Sequence, residues 1–304
     1  MSVATGVPGN PGRHNRVGSA SAEIALVLNF DAELELDRGP SYQPTQVTIA
    51  RMTALARAMR PTLPEGAFVI APLDEEAPKD ARSIAWCPTR RARKLFAGRT
   101  APDGPSDDVL AHVNARPFAF ALEPMDGAVL ARDLETAERA LARPGAWLLK
   151  RVFGVSGRGQ RPVRGGETSD ADRSFLAASL SRHGAIVIEP RVRIERELSV
   201  HAWRTDQTHV RSIRSPSVDA FGQFVSSDDA RDLAPAIENA LSDTAMRVGE
   251  ALGAAGYRGP FGVDAFLHRG DGSQLPQLRS LSEINARYCM GWDARDGWLP
   301  PSSE

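Results

Sequence analysis

The sequence is short of cysteine and lysine, and it carries almost no net charge. Its two cysteines, Cys87 and Cys289, lie far apart and form no metal-binding pattern, so we expect a reduced, cytoplasmic protein. A net charge of −1 provides no sequence-wide basic field for nucleic acid or an anionic membrane. No apolar run reaches membrane-spanning length, and residues 1–21 lack the apolar core of a signal peptide. We therefore expect neither a nucleic-acid partner nor a membrane partner.

The scarcity of lysine makes each remaining lysine a candidate for a specific task. Of the 37 Lys and Arg residues three are lysines, Lys79, Lys94 and Lys150, which leaves 34 arginines. In such a chain a retained Lys indicates a position that requires a compact ammonium group, which the planar guanidinium of Arg does not mimic. Random residue usage accounts equally well for any single one of the three.

What the chain does contain is typical of a soluble globular enzyme. It has 304 residues, 42% of them hydrophobic and 25% charged, which is enough for two domains or one large domain with subdomains. Residues 1–20 are rich in Gly, Pro, Ser and Asn and predict a disordered arm.

Hydrophobic patterning predicts a small α/β unit with a parallel sheet over residues 21–88. Its elements are a strand at 24–30, a helix at 44–59, and strands at 67–70 and 83–86. Asn29, Asp31 and Glu33 follow the first strand, at the edge where open α/β sheets bind ligands, although a solvated acidic turn accounts for each. Later elements are predicted as a basic helix at 89–98, a loop at 100–108, strands at 117–122, 146–153, 185–189, 198–203 and 209–213, and helices at 134–141, 170–182 and 233–252.

A polar hairpin near the end of the chain carries the main candidate site. A strand at 261–267 leads through a turn at 269–273 into a second strand that contains Glu283 and Asn285. These two residues are two apart and share a face, and an antiparallel partner strand can bring Asp264 beside them. Two carboxylates and an amide oxygen suit Mg²⁺ with a substrate's phosphates, and Arg287 continues the face toward a phosphate oxygen. A solvated hairpin edge explains the same residues equally well.

A second candidate is the segment 148–160, in which Lys150 on a strand precedes a loop with three glycines. Backbone amides of such a loop can surround phosphates because glycine has no Cβ to block the approach. The loop lacks the G-K-[ST] ending of a P-loop, and no helix directly follows it. An ordinary turn is the alternative.

Together these motifs resemble the ATP-grasp superfamily of the carboxylate–amine ligase type. E-I-N-A-R after a G-V-D strand is similar to its metal-binding end, and a lysine ahead of a glycine loop is similar to its phosphate lid. The resemblance implies Mg²⁺ at Asp264, Glu283 and Asn285, with two ions or Mn²⁺ as options, and catalytic roles for Arg287 and Lys150. It also implies that Lys150 contacts the α- and β-phosphates and that residues 154–160 close over the triphosphate, which involves Gly154, Ser156, Gly157 and Gly159.

Further along, I-V-I-E-P resembles the family's adenine hinge and is followed by E-R-E-L-S-V. This resemblance implies hinge contacts at Glu189 and Val192 and a ribose contact at Glu197, with Glu195 as the competing choice. Lys94 matches a second nucleotide-binding lysine, although a solvated basic helix also accounts for it. The resemblance covers about residues 85–292. Two departures are the gap of 19 residues from Asp264 to Glu283 and the early end of the chain.

The implied fold is α/β plus α+β, with a pre-ATP-grasp-like α/β unit at 21–88 followed by a two-lobed ATP-grasp fold. The first lobe, 89–184, holds the phosphate-lid loop, and the second, 185–304, holds the metal site. The implied activity is an ATP- and Mg²⁺-dependent ligation of a small-molecule carboxylate to an amine through an acyl phosphate, releasing ADP. A kinase acting on a small-molecule hydroxyl and a non-catalytic ATP-binding module remain alternatives. The oligomeric state stays open, a homodimer being one option.

Overall fold

The computed structural model describes residues 23–154, 159–218, 224–269 and 276–301. The predicted arm at 1–20, Ser156, Gly157 and most of the turn at 269–273 lie outside the described residues. In chain order the elements are β1 (Ile24–Val27), α1 (Ala32–Arg38), α2 (Gln46–Met59), β2 (Ala67–Ala71), β3 (Arg82–Ala85), α3 (Arg90–Lys94), α4 (Asp107–Asn114), α5 (Arg116–Leu122), β4 (Val129–Ala131), α6 (Leu134–Leu141), β5 (Gly145–Arg151), β6 (Gln160–Gly165), α7 (Asp170–His183), β7 (Ile186–Pro190), β8 (Arg193–Arg204), β9 (Thr208–Val218), β10 (Phe224–Asp229), α8 (Pro235–Ala254), β11 (Gly259–Arg269) and β12 (Gln277–Asn285). None of the helices in these ranges is long and apolar enough to span a membrane.

The strands of the described ranges form three sheets, and the first of them is parallel, in the order β2-β1-β3. All four residues of β1 are buried because the strand is central and covered on both faces, which explains its uninterrupted apolar sequence. Helix α2 begins at its cap residue Thr45, whose side chain accepts a hydrogen bond from Thr48 N. The predicted parallel α/β unit is confirmed.

The second sheet has the antiparallel order β4-β7-β5-β6. Helices α6 and α7 cover it with apolar side chains that include Leu141 and Leu176, packed on Leu149 and Ile186. Because β7 pairs with both β4 and β5, it belongs to this sheet. The predicted lobe boundary at 184/185 would separate β7 from its partners, so we propose a boundary after Pro190 instead.

The third sheet is antiparallel, in the order β10-β9-β8-β11-β12, and contains the predicted hairpin as β11 and β12. Helix α8 packs on it through residues spaced three or four apart, namely Leu241, Ala245, Val248 and Leu252. The same apolar core continues into the first sheet, where it includes Leu26 and Trp86. The N-terminal unit is therefore anchored directly on the sheet that carries Asp264, Glu283 and Asn285.

The predicted strand at 117–122 is wrong, because this segment forms helix α5. Pro117 occupies the first turn, where a missing N–H costs no hydrogen bond, and Ala115 before it is extended. The predicted loop at 100–108 runs into α4, which starts at the cap residue Ser106. The basic helix is shorter than predicted, and β4, β6 and β10 were not predicted.

Candidate functional site

Asp264 and Glu283 are directly opposite each other in the β11–β12 register. Asn285 lies two residues further along β12, opposite Gly262, and therefore on the same face of the hairpin. The Asn285 side chain donates from Nδ2 to Asp264 Oδ2 over 2.8 Å, and Ser199 Oγ on β8 donates to Asp264 Oδ1 over 3.1 Å. The structure therefore brings together all three residues that the sequence predicted as metal ligands. Ser199 was not predicted, because its place opposite Asp264 depends on the pairing of β8 with β11.

The electrostatics of this face favour a cation. Burial, together with the negative charge of Glu283, raises the pKa of Asp264 to about 7. The face has two carboxylates and one amide, and among the described residues no three His, Cys, Asp or Glu side chains form a metal-binding group. Mg²⁺ is usually held by one or two protein carboxylates, with phosphates and water completing its shell. The donor set fits Mg²⁺ bound together with a nucleotide.

Arg287 connects this face to the N-terminal unit. Its guanidinium forms an ion pair with Glu33, at the start of α1, and donates to Tyr288 O over 3.2 Å. Burial by itself would lower the pKa of Arg287, but the charge of Glu33 outweighs it and the pKa is raised. Glu33 follows β1 at the carboxyl edge of the parallel sheet, for which the sequence left a ligand-binding edge and a solvated acidic turn as alternatives, and its side chain is buried.

Lys150 lies in the second sheet and forms a buried ion pair with Glu189, with 2.6 Å between Nζ and Oε2. The pair is diagonal, since Lys150 on β5 lies opposite Val187 on β7, two residues before Glu189. These two predicted residues are thus brought into contact with each other. For Lys150 to bind a phosphate, its ammonium must either contact Glu189 and the phosphate at the same time or leave Glu189 for the phosphate.

The ends of the glycine loop are held by the backbone. Arg151 N donates to Gly159 O over 2.9 Å, and Gly154 follows β5 three residues later. Gly159 has a φ of +79°, and a Cβ at this position would lie 2.9 Å from Phe153 O. Position 159 therefore requires glycine both for its backbone conformation and for its space.

The remaining candidates have different surroundings. Val192 is partly buried in the short link between β7 and β8, as a hinge residue would be. Glu197 is half-buried and its pKa is raised by burial alone, whereas Glu195 is paired with Arg269 at 2.7 Å. This difference favours Glu197 for the predicted ribose contact. Lys94 is exposed at the end of α3 and has no hydrogen bond or ion pair with any described residue, because this short helix buries its Ala92 face instead.

Two residues of the site, Asn114 and Arg116, were missed by the sequence analysis. Asn114 Oδ1 accepts a hydrogen bond from Ala286 N, and Arg116 Nη2 donates to both oxygens of Glu283, at 3.1 and 3.4 Å. The signal that could have located them is the N-A-R-P sequence, because proline at a first turn marks a helix start. The incorrect strand at 117–122 concealed it.

Comparison of the sequence finds no matching family model and no matching curated protein. Comparison of the structure finds D-alanyl-alanine synthetase A from Vibrio cholerae, with a TM-score of 0.51 and 14% identity over 90% of this chain and 91% of that one. It also finds a biotin carboxylase from Campylobacter jejuni, solved in complex with β-γ-ATP, with a TM-score of 0.51 and 14% identity. This second match covers 86% of this chain and 65% of the carboxylase chain. Both matched proteins are ATP-grasp enzymes, and the chain therefore has the ATP-grasp fold.

Proposed function

We propose that the chain is an ATP- and Mg²⁺-dependent ligase that joins a small-molecule carboxylate to an amine and releases ADP and phosphate. The observation that carries this proposal is the opposition of Asp264 and Glu283 across the β11–β12 hairpin, with Asn285 beside them. Paired carboxylates at partly buried positions are costly unless a cation or a polar partner compensates them. The ATP-grasp fold supports a nucleotide as the ligand that brings this cation.

The nucleotide would lie between the second and third sheets. Backbone groups of the link from Glu189 to Val192 would bind the adenine edge, and the half-buried carboxylate of Glu197 would accept the ribose hydroxyls. Lys150 and the backbone near Gly154 would bind phosphate oxygens. Asp264, Glu283 and the Asn285 amide oxygen would hold Mg²⁺, whose contribution when bound is to neutralise the charge on the β- and γ-phosphates.

In this ligation the nucleophiles are the substrate carboxylate and the amine, so the role of the protein would be to position the reactants and not to supply a nucleophile. An oxygen of the substrate carboxylate attacks the γ-phosphorus, the bond to the β,γ-bridging oxygen breaks, and ADP leaves with that electron pair. An amine nitrogen then attacks the acyl carbon, phosphate leaves with the carbon–oxygen pair, and the amine gives up one proton. Arg287 would hold the negatively charged acyl phosphate, for which its guanidinium must exchange Glu33 for the substrate.

The test is incubation of the protein with ATP, Mg²⁺ and pooled acids and amines, with products identified by mass spectrometry. Formation of an amide with stoichiometric ADP is expected, and Mn²⁺ should support the reaction in place of Mg²⁺. An Asp264→Asn variant is the matched control and should form no product. A phosphorylated hydroxyl with no amide would identify a kinase, release of AMP would exclude an acyl phosphate, and absence of nucleotide binding in calorimetry would exclude all these activities.

A further inference from the structure

Arg116 lies between the two halves of the proposed site and contacts both. On one side its Nη2 donates to Glu283 Oε1 over 3.1 Å, in an ion pair with a side chain of β12. On the other side its Nη1 donates to Arg151 O over 2.7 Å, and its backbone N donates to Val152 O over 3.0 Å. Arg151 and Val152 are where β5 ends, just ahead of Gly154. One residue thus joins the metal-site hairpin to the strand that carries Lys150.

Asn114, two residues earlier, strengthens the same connection. Its Oδ1 accepts from Ala286 N over 2.8 Å, while its Nδ2 donates to Leu110 O over 2.8 Å within α4. Asn114 thereby fixes the backbone that follows Asn285, and Arg116 fixes the side chain of Glu283. We call the segment 114–116 the brace.

The chemistry of the brace suits arginine in particular. Glu283 faces the carboxylate of Asp264, so without a cationic partner it would be repelled from its position on the hairpin. A guanidinium donates in two directions at fixed angles, which allows a carbonyl and a carboxylate to be held at a set separation. Arg116 is 6% exposed, and its Nε is buried with no partner among the described residues. The hydrogen bonds of its guanidinium are therefore those of the two terminal nitrogens, to Arg151 O and to Glu283.

We propose that Arg116 is a positioning residue that orients Glu283 opposite Asp264 and fixes that pair relative to the end of β5. This inference rests on the proposed function, because it assigns Arg116 to the same nucleotide and metal site. A transferred phosphoryl group would have to contact both halves of that site at once. In this proposal the brace sets the distance between the Asp264–Glu283 pair and the end of β5, and the reaction requires that distance to be fixed.

The test compares Arg116→Lys with Arg279→Lys. Lysine keeps the charge next to Glu283 but cannot reach Arg151 O at the same time. Arg279, on β12, is a close match because it too is a buried arginine that bonds both a carboxylate and a carbonyl. It donates to a carboxylate oxygen of Glu123 over 3.2 Å and to Glu123 O over 2.6 Å. Among the described residues Arg279 has no hydrogen bond or ion pair with Asp264, Glu283 or Asn285, although its charge interacts with that of Glu189.

For Arg116→Lys we expect the Mg²⁺ concentration at half-maximal ADP release to rise about 10- to 100-fold, as when other partners of metal ligands are removed. The kcat should fall while the KM for ATP stays within about twofold, because the adenine and ribose contacts are unchanged. Amide hydrogen exchange should increase at Ala286 and in the last residues of β5. Arg279→Lys should lower Tm but leave the Mg²⁺ dependence as in the wild type.

Wild-type Mg²⁺ dependence in Arg116→Lys, or an equal change in Arg279→Lys, would overturn the proposal. If Arg116→Lys does not fold, Asn114→Ser removes the side-chain amide that bonds Ala286 N and Leu110 O, leaves the Arg116–Glu283 contact in place, and should give the same shift with smaller amplitude. Failure of the proposed function is separable, because a wild-type protein that binds no ATP would show it directly. Hydrogen exchange at Ala286 and β5 would then still decide whether the brace joins the two sheets.

Discussion

Asp264 and Glu283 face each other across two antiparallel strands, and different residues hold each of them. Asp264 accepts from Ser199 and Asn285, whereas Glu283 is paired with Arg116. Hydrogen bonds of this kind favour the ionised carboxylate, yet burial and the facing charge still raise the pKa of Asp264 to about 7. The ionised form of Asp264 is therefore disfavoured in the free protein, and a bound cation would stabilise it.

Substitution of Glu283 by Gln should reduce turnover far more than nucleotide binding. Glutamine keeps the shape of the side chain but removes one charge from the pair that would hold Mg²⁺. Because that charge would act mainly on the transferred phosphoryl group, we expect kcat to fall ~100-fold or more. Calorimetry should still detect ADP binding. Glu135→Gln, at a side chain that is 85% exposed on α6, is the control and should behave as wild type; wild-type turnover in Glu283→Gln would exclude the metal site.

The same substitution should lower the pKa of Asp264 from about 7, because the charge of Glu283 is one of the causes that raise it. In the unfolded chain this carboxyl titrates at about pH 4, so the folded protein binds its proton more tightly. Stability contributed by Asp264 in the metal-free protein is thus lost as the pH rises from about 4 to about 7. Glu283→Gln should make this loss smaller. Urea unfolding at several pH values, with carboxyl NMR titration of Asp264, measures both effects, and an unchanged Asp264 pKa would show that the two carboxylates do not interact.

Much of this arrangement could be predicted locally from the sequence. The β11–β12 hairpin is defined by alternation and turn residues, and the side-chain period of two places Glu283 and Asn285 on one face. The contacts that hold these residues are different in kind. Arg116 and Glu283 are 167 residues apart, and their contact depends on how three sheets pack together. Sequence periodicity contains no information about such packing, which is also why the pairing of Lys150 with Glu189 was not predicted.

The error at 117–122 has a simple physical origin. Phe118, Phe120 and Leu122 alternate with smaller residues, which matches a strand of period two. In the short helix α5 the same three side chains are also partly buried. Pro117 decides the matter, because it is favourable in the first turn of a helix and removes a hydrogen bond from a strand. The sequence contained this signal, and giving it more weight than the alternation would have placed Arg116 at a helix start.

Replacement of Lys150 by Arg should weaken nucleotide binding although the charge is retained. Lys150 lies in a buried space shaped for an ammonium group 2.6 Å from Glu189, and a guanidinium is larger and planar. Loss of one charge-assisted contact to a phosphate predicts an affinity for ADP about 10- to 100-fold lower. Lys79→Arg, at an exposed position of the N-terminal unit, is the matched control. Calorimetry on both variants, with Tm measured in parallel, tests this, and wild-type affinity in Lys150→Arg would assign Lys150 a structural role only.

Asp296, in the segment that follows the β11–β12 hairpin, should be important for stability and not for nucleotide binding. It is fully buried and accepts hydrogen bonds from Arg214 Nη2 over 2.8 Å and from Asp293 N over 3.1 Å, while His201 Nδ1 lies 3.2 Å away. Burial alone would raise the pKa of Asp296, but the contacts with His201, Ser212 and Asp293 outweigh it and hold the pKa below its usual range.

Asp296→Asn should therefore lower the free energy of unfolding at pH 7 by about 3–5 kcal/mol, the usual cost of removing one partner from a buried ion pair. The unfolded chain binds the proton of Asp296 more tightly than the folded chain does. This contribution to stability is therefore present above the unfolded pKa of about 4 and is lost as the pH falls below it. The difference between wild type and variant should accordingly shrink between pH 5 and pH 3. Asp206→Asn, which alters an ion pair whose aspartate is 84% exposed, should cost less than about 1 kcal/mol at either pH. Urea unfolding across this range measures the difference, and a constant gap between wild type and Asp296→Asn would show that Asp296 is not held ionised by these contacts.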